Sequence, residues 1–169
     1  MTKKKTNLSE HTTLPDGQTF KVGIAVSKWN QEITSALLRG ANETLIESGV
    51  KEENIKVIEV PGAFELPVAA KMLLQTESFD GIIALGCVIK GETSHNEYIN
   101  NAVANGLTQL ALVSGKPCTF GLLTPNDMQQ ALDRSGGKHG NKGHEAAATV
   151  LEMIALKKTL TEPASKIGY

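Results

Sequence analysis

The segment from residue 86 to residue 97, GCVIKGETSHNE, combines a position suited to an anion with a side chain that carries protons. It begins in an apolar run, residues 81–89, which predicts a buried strand. Ser94 and Glu97 have the spacing of a capping box, so we expect a helix to begin there. The free N–H groups and the dipole of a helix N-terminus attract anions, and the imidazole of His95 is a side chain that can carry protons. The segment therefore predicts a phosphate site beside a general acid–base residue.

Two other segments carry aromatic and acidic side chains of the kind found at ligand sites. Trp29, the only tryptophan, stands with Asn30 among polar residues, where its ring would either stack on a planar heterocycle or simply pack on the surface. Phe64 and Glu65 follow a Pro-Gly turn at the predicted start of a helix. The Glu65 carboxylate there either complements the helix dipole, as acidic first-turn residues commonly do, or binds a polyol or an amine.

A basic, glycine-rich stretch near the C-terminus offers a second way to hold a phosphate. It comprises Arg134 and residues 138–143, KHGNKG, which include Lys142. One interpretation is a helix C-terminus with favourable cations followed by a linker. The other is phosphate capture, which a guanidinium performs with two parallel hydrogen bonds. The glycine pattern matches neither a P-loop nor a dinucleotide fingerprint, so nucleotide binding is not indicated.

Composition limits the class of protein. A chain of 169 residues with 40% hydrophobic and 4% aromatic residues predicts one domain with an aliphatic core. The net charge of -1 argues against the basic face that nucleic-acid binding requires. No run approaches the ~18 apolar residues of a membrane span, and no apolar stretch follows the basic residues 3–5 as in a signal peptide. Cys87 and Cys118 lie in apolar runs without zinc-site spacing, so we expect buried reduced thiols, no metal and a cytoplasmic protein.

Strands and helices that alternate along the chain must position these residues. Apolar runs predict strands at 21–26, 55–60, 81–89 and 119–124. Helices are predicted from Ile33 to a stop at Gly49, from Glu65 through Leu73, from Ser94 through Ala111, over 126–135 and over 144–158. Alternation of this kind predicts an α/β fold, with right-handed crossovers and a four-stranded parallel sheet covered by helices on both faces.

In such folds ligands bind outside the carboxyl ends of the strands. The Trp29, Glu65 and His95 segments each follow a predicted strand, so we expect them to meet at that edge. We also expect residues 1–17 to be an N-terminal extension, residues 18–158 to form a single domain, and residues 159–169 to be a tail.

Four blocks of the sequence together closely resemble the lumazine synthase family. They are Trp29-Asn30, residues 61–67 (PGAFELP), residues 86–95 and residues 140–143 (GNKG), in matching order and spacing across about residues 18–158. The resemblance implies a three-layer flavodoxin-like fold and a transferase of riboflavin biosynthesis. Its reaction condenses 5-amino-6-(D-ribitylamino)uracil with 3,4-dihydroxy-2-butanone 4-phosphate. It releases phosphate and water, and it forms 6,7-dimethyl-8-ribityllumazine without a cofactor or a metal.

The resemblance also implies a role for each site residue. His95 is expected to shuttle protons, and Trp29 to stack on the pyrimidine. The other substrate-binding positions it implies are Asn30, Ala63, Phe64, Glu65, Cys87, Val88, Ile89, Glu92, Thr93, Phe120, Arg134 and Lys142. Residues 63–65 would hold the ribityl chain, and residues 87–89 would offer backbone groups to the uracil edge.

The implied phosphate site draws on two subunits. Glu92 and Thr93 would contact the phosphate through main chain and hydroxyl, while Phe120 and Arg134 would come from the adjacent subunit, with Arg134 on the phosphate. The chain departs from many family members at Glu92, where a small residue is usual. Because a carboxylate repels a phosphate, we expect the Glu92 side chain to turn away and only its N–H to serve.

Assembly is a further implication of the resemblance. Family members form homo-pentamers, and some assemble twelve of these into a sixty-subunit icosahedral shell that leaves room for a riboflavin synthase partner. The bend at 136–143 is short, which favours the shell. The N-terminal segment around Thr12, Thr13 and Leu14 could add a strand to a neighbour's sheet.

Several other classes of protein compete with this interpretation. An archaeal-type riboflavin synthase resembles the same fold and uses the lumazine product, and a non-catalytic flavin-binding shell protein would keep the stacking residue. Such a carrier has no need of both His95 and Arg134, which the chain combines. A receiver domain is disfavoured because Ser27-Lys28 stands where its acidic cluster would follow the first strand, and a flavodoxin because that loop lacks glycine and hydroxyl-rich phosphate ligands.

Overall fold

The computed structural model describes residues 13–161 of the chain, so the predictions for residues 3–5 and Thr12 lie outside the described residues. Within 13–161, four parallel strands form one sheet in the order β2-β1-β3-β4. The strands are β1 (Val22–Ser27), β2 (Ile55–Val60), β3 (Gly81–Cys87) and β4 (Cys118–Leu123). The helices are α1 (Gln31–Glu47), α2 (Leu66–Thr76), α3 (His95–Ser114), α4 (Met128–Arg134) and α5 (Lys142–Thr161).

The helices cover both faces of the sheet. Helices α1 and α5 pack together over one face, where a core cluster includes Leu37, Leu45 and Leu151. Helices α2 and α3 cover the other face, with Leu66, Leu73 and other aliphatic side chains at the centre of a second cluster. The predicted three-layer α/β, flavodoxin-like fold is therefore confirmed. Within residues 13–161, no helix has the length and apolar composition that crossing a bilayer requires.

The apolar patterns place the main elements correctly. Strands β1 and β3 lie in the middle of the sheet and are buried along their whole length, as continuous apolar runs predict. Helix α1 buries the predicted stripe of Ile33, Leu37, Ala41 and Leu45. Gly49 follows that helix with φ at +89°, the left-handed conformation of a helix stop.

Three local predictions were wrong. Strand β3 ends at Cys87, two residues before the predicted end, although the Val88 N–H still donates to the Leu123 carbonyl of β4 at 2.9 Å. Helix α3 does begin with His95, but Ser94 makes no side-chain capping bond, so the predicted capping box is not formed. The bend before α5 contains two short antiparallel strands, β5 (Ser135–Gly137) and β6 (Gly140–Asn141), and α5 begins at Lys142 rather than His144.

Candidate active site

Three loops meet at the carboxyl edge of the sheet, because the strands they follow are neighbours. Trp29-Asn30 follows β1, residues 61–65 follow β2, and residues 88–89 follow β3. The Asn30 amide nitrogen donates to the Cys87 carbonyl at 3.0 Å, which ties the first loop to the third. A Cβ built on Gly62 would lie 3.6 Å from the Trp29 indole, so the ring stands against the second loop. These contacts join the Trp29-Asn30 loop to the Gly62 loop and to the end of β3, whereas the approach of the His95 segment to them stays a prediction.

The aromatic rings at this edge have open faces. Trp29 is 72% exposed and Phe64 is 60% exposed, although both are large apolar side chains. Asn30 precedes α1 with φ at +57°, the only non-glycine residue between 13 and 161 with a positive φ. Such a conformation costs energy and persists where packing or function demands it. An exposed indole beside a strained amide residue is a suitable surface for a flat, polar heterocycle.

Glu65 already has a structural partner. Its Oε2 accepts a hydrogen bond from the Gly62 N–H at 3.0 Å, at the short 3₁₀ turn of residues 63–65 that leads into α2. The simpler of the two sequence interpretations, an acid that completes a helix start, is therefore met. Ala63 in the same turn is buried, which leaves Phe64 and one Glu65 oxygen to face a ligand.

The segment that enters α3 has open donors. Within residues 13–161, no hydrogen bond uses the peptide N–H groups of residues 91–96, whereas the Lys90 N–H donates to the Pro125 carbonyl and the Glu97 N–H to the Ser94 carbonyl. Glu92, Thr93 and His95 are all exposed there. A row of free N–H groups at the N-terminus of a twenty-residue helix is able to attract an anion, and the phosphate site itself stays a prediction.

The Cys87 thiol is not a candidate nucleophile. The side chain is buried, and burial raises its pKa from 9.0 to about 11. Burial likewise raises the pKa of the half-buried Cys118 to about 11. Both thiols therefore stay protonated near neutral pH, and a contact between the Cys87 backbone and a ligand stays a prediction.

A cleft of about 390 Å³ lies beside the edge strand β4. It is lined by Phe120, Arg134 and Lys142, together with Leu122, Leu123, Thr124, Pro125 and Gln130. No hydrogen bond or ion pair within residues 13–161 joins these three side chains to Trp29, Phe64 or His95. A single chain thus presents two groups of candidate residues, an aromatic and amide group at the strand ends and a cationic group beside β4.

The cations of the second group share one carboxylate, which the sequence analysis missed. Glu145 Oε1 forms an ion pair with Arg134 Nη1 at 3.0 Å. Glu145 Oε2 accepts hydrogen bonds from Arg134 Nη2 at 3.2 Å and from Lys142 Nζ at 3.1 Å. Burial alone would raise the pKa of the Glu145 carboxyl, but the hydrogen bonds from Lys142 and Arg134 outweigh it and lower that pKa below 4.5. The only sequence signal was the spacing of three residues from Lys142 to Glu145 on a helix.

Asp133, the residue before Arg134 on α4, holds the bend that follows that helix. Its carboxylate accepts from Lys138 Nζ and from Gln129 Nε2, both at 3.0 Å, and these bonds lower its pKa below 3.8. A carboxylate with a lowered folded-state pKa stabilises the fold above its unfolded pKa, and the contribution is lost as pH falls through the folded value.

We therefore expect Asp133→Asn to lower the free energy of unfolding at pH 7 and to reduce its loss between pH 5 and pH 3. Urea unfolding at several pH values measures both. A variant whose stability falls with acid as steeply as that of the parent chain would contradict the assignment.

Comparisons with known proteins agree with this geometry. The sequence model of the family described as 6,7-dimethyl-8-ribityllumazine synthase matches residues 19–158. A protein of that name from Parabacteroides distasonis is 49% identical over 150 residues, which cover 88% of this chain and 94% of that protein. Proteins of the same name from Porphyromonas gingivalis and Cytophaga hutchinsonii are each 47% identical, over 90% and 88% of this chain and 96% and 94% of their own lengths. The chain belongs to the 6,7-dimethyl-8-ribityllumazine synthase family.

Proposed function

We propose that the chain catalyses the condensation of 5-amino-6-(D-ribitylamino)uracil with 3,4-dihydroxy-2-butanone 4-phosphate in riboflavin biosynthesis. The family and the names of its relatives support this transferase activity. One structural observation carries it: the loops after three neighbouring strands bring a stacking ring, backbone groups and free helix N–H donors to one edge of the sheet. The alternatives of a riboflavin synthase and a non-catalytic carrier are not favoured by these relatives.

The strand-end loops suit the pyrimidine. Trp29 stacks on the ring in this proposal, Asn30 and the backbone of residues 87–89 meet its polar edge, and residues 63–65 hold the ribityl chain. The exposure of Trp29 and Phe64 supports this role, because their ring faces are open to a planar ligand.

The reaction itself needs orientation and proton transfer. The pyrimidine amine attacks the ketone and forms an imine with loss of water, phosphate leaves, and the ring closes with loss of a second water. Holding two reactants in register supplies roughly 7–11 kcal/mol of the barrier reduction. His95, exposed in the first turn of α3, moves the protons, while the N–H groups around Glu92 and Thr93 hold the phosphate.

The second group of residues completes the site from a neighbouring copy of the chain. Phe120, Arg134 and Lys142 line the cleft beside β4, and no hydrogen bond or ion pair within residues 13–161 joins them to Trp29 or His95, which supports a site that a second subunit completes. An apolar groove of about 470 Å³ lies at the amino end of β4, with the exposed side chains of Leu112, Met153, Leu156 and Leu160 at its walls. Exposed apolar surface of this kind supports an oligomer, and we propose the homo-pentamer.

Assembly beyond the pentamer is a further proposal. Strand β4 is an edge strand of the sheet in residues 13–161, so its outer side is open to a strand from a neighbour's N-terminal segment. The short bend between α4 and α5 supports the sixty-subunit shell with room for a riboflavin synthase. The two unpaired cysteines support a cytoplasmic location.

The activity is tested by mixing the purified chain with both substrates. Appearance of the lumazine chromophore together with one phosphate per product is the expected result. No chromophore from a folded protein would overturn the proposal. Conversion of added lumazine to riboflavin would point instead to the riboflavin synthase alternative, and sedimentation of the same sample distinguishes a pentamer from a shell.

We expect Trp29→Ala to raise the Michaelis constant for the pyrimidine, because one aromatic stacking contact is worth about 1–3 kcal/mol, or about 5- to 150-fold. The constant for the butanone phosphate should stay within twofold, since the two reactants occupy different groups of residues. Steady-state kinetics on both substrates measures this, with Trp29→Phe as a control that keeps a stacking ring. Equal changes for both substrates would count against a stacking role.

A further inference from the structure

The contacts of Arg134 account for most of its hydrogen-bond donors. A guanidinium has five N–H donors. Nη1 donates one of them to the His139 carbonyl at 2.9 Å, and the same nitrogen forms an ion pair with Glu145 Oε1 at 3.0 Å. Nη2 uses one on Glu145 Oε2 at 3.2 Å. The Glu145 carboxylate therefore contacts both Nη atoms and lies at the terminal edge of the guanidinium, opposite Nε.

The donors that remain lie together on one side of the guanidinium. They are the Nε–H and the second Nη2–H, and neither has a partner among residues 13–161. These two donors are parallel, which is the geometry that grips two oxygens of a phosphate. Lys142 lines the same cleft, and an ammonium has three donors, of which Glu145 takes one.

We propose that Glu145 is a positioning residue for the phosphate-bearing substrate. Its carboxylate offsets the repulsion between Arg134 and Lys142, fixes the end of the guanidinium, and leaves the Nε–Nη2 side as the bidentate phosphate donor. The inference rests on the proposed function, and it adds a residue that does not itself touch substrate. Glu145 suits the task because it lies on the first turn of α5, is partly buried, and contacts both cations at once.

The test is a double-mutant cycle with steady-state kinetics on both substrates. Glu145→Gln keeps the size of the side chain, but its NH₂ group would face an N–H donor of Arg134 or Lys142. The variant therefore loses the contacts that hold these two cations. We expect the Michaelis constant for the butanone phosphate to rise by about tenfold or more and that for the pyrimidine to stay within twofold. In an Arg134→Ala background, Glu145→Gln should add less than twofold, because the residue acts through Arg134.

Two further variants keep the test decisive. Glu53→Gln removes an exposed carboxylate at the opposite, amino end of β2 and should leave both constants unchanged. Arg134→Lys keeps the charge but lacks the paired donors, so it should raise the phosphate-substrate constant nearly as much as Arg134→Ala, and it serves if Glu145→Gln fails to fold.

The outcomes separate the two proposals. A parent chain that forms no lumazine would overturn the proposed function. A parent chain that turns over normally would overturn only the positioning role in two cases: if Glu145→Gln and Arg134→Ala have additive effects, or if Arg134→Lys behaves like the parent.

Discussion

The His95→Ala variant is expected to turn over about 10²- to 10⁴-fold more slowly than the parent chain, the usual contribution of one general acid–base residue. The imidazole lies exposed in the first turn of α3, beside the free N–H groups that are proposed to hold the phosphate, so it can reach a reactant bound there. Turnover should persist, because orientation of the two reactants does not depend on His95. Both Michaelis constants should therefore change little while kcat falls.

His144→Asn is the matched control for that measurement. His144 Nδ1 lies 2.6 Å from the Thr44 hydroxyl, and its ring belongs to the contact between α1 and α5 rather than to the strand-end loops. Asparagine can keep the bond to Thr44, so kcat should match that of the parent chain. Complete loss of turnover in a folded His95→Ala protein would contradict the division between orientation and proton transfer, and an unchanged kcat would remove His95 from the mechanism.

The sequence was sufficient for the central sheet because its signals there are local and agree with one another. Strands β1 and β3 are continuous apolar runs, and continuous runs arise when both faces of a strand are covered. Strand β2 has the predicted bounds, 55–60, because Pro61-Gly62 ends it. Neighbouring parallel strands end at the same edge of a sheet. The loops that follow β1, β2 and β3 could therefore be placed together from the predicted topology alone.

The capping box predicted at the start of α3 is not formed, and the proposed anion site offers a reason. Ser94 and Glu97 have the right types and spacing, yet the Ser94 hydroxyl makes no capping bond and the N–H groups of 91–96 stay open. In a capping box the Glu97 carboxylate would take the Ser94 N–H, which is one of the donors that stay open to a bound anion. Departures from local consistency are expected at functional sites, so the failed prediction itself supports a ligand at this turn.

The bend before α5 could not be predicted because its structure depends on distant residues. Glycines in the left-handed region, Gly136 at φ +120° and Gly140 at φ +82°, look like a flexible linker in sequence. The structure shows a hairpin, held by Asn141, whose amide nitrogen donates to the Ala36 carbonyl on α1 at 2.9 Å. Glu145 was missed for the same reason, since its role depends on Arg134, eleven residues away on another helix.

The close approach of α1 and α5 makes Gly143 the position where a single methyl group should do most damage. A Cβ at Gly143 would lie 1.9 Å from the Leu37 carbonyl oxygen and 2.7 Å from its carbon, and these backbone atoms cannot rotate away as a side chain does. We expect Gly143→Ala to lower the free energy of unfolding by more than about 3 kcal/mol, the upper end of overpacking effects, or to prevent folding. Urea unfolding followed by circular dichroism measures the change.

Gly91→Ala is the control for stability, because a Cβ there meets no atom within 4 Å and the backbone is not in the left-handed region. It should be at least as stable as the parent chain, since alanine restricts the unfolded state more than glycine does. Any Gly143→Ala protein that folds should also bind the phosphate-bearing substrate less tightly, because the clash pushes on the start of α5 between Lys142 and Glu145. A Gly143→Ala protein with normal stability and intact binding would contradict this prediction. It would mean that α1 and α5 can move apart without an energetic cost, and that their close contact does not position Arg134 and Lys142.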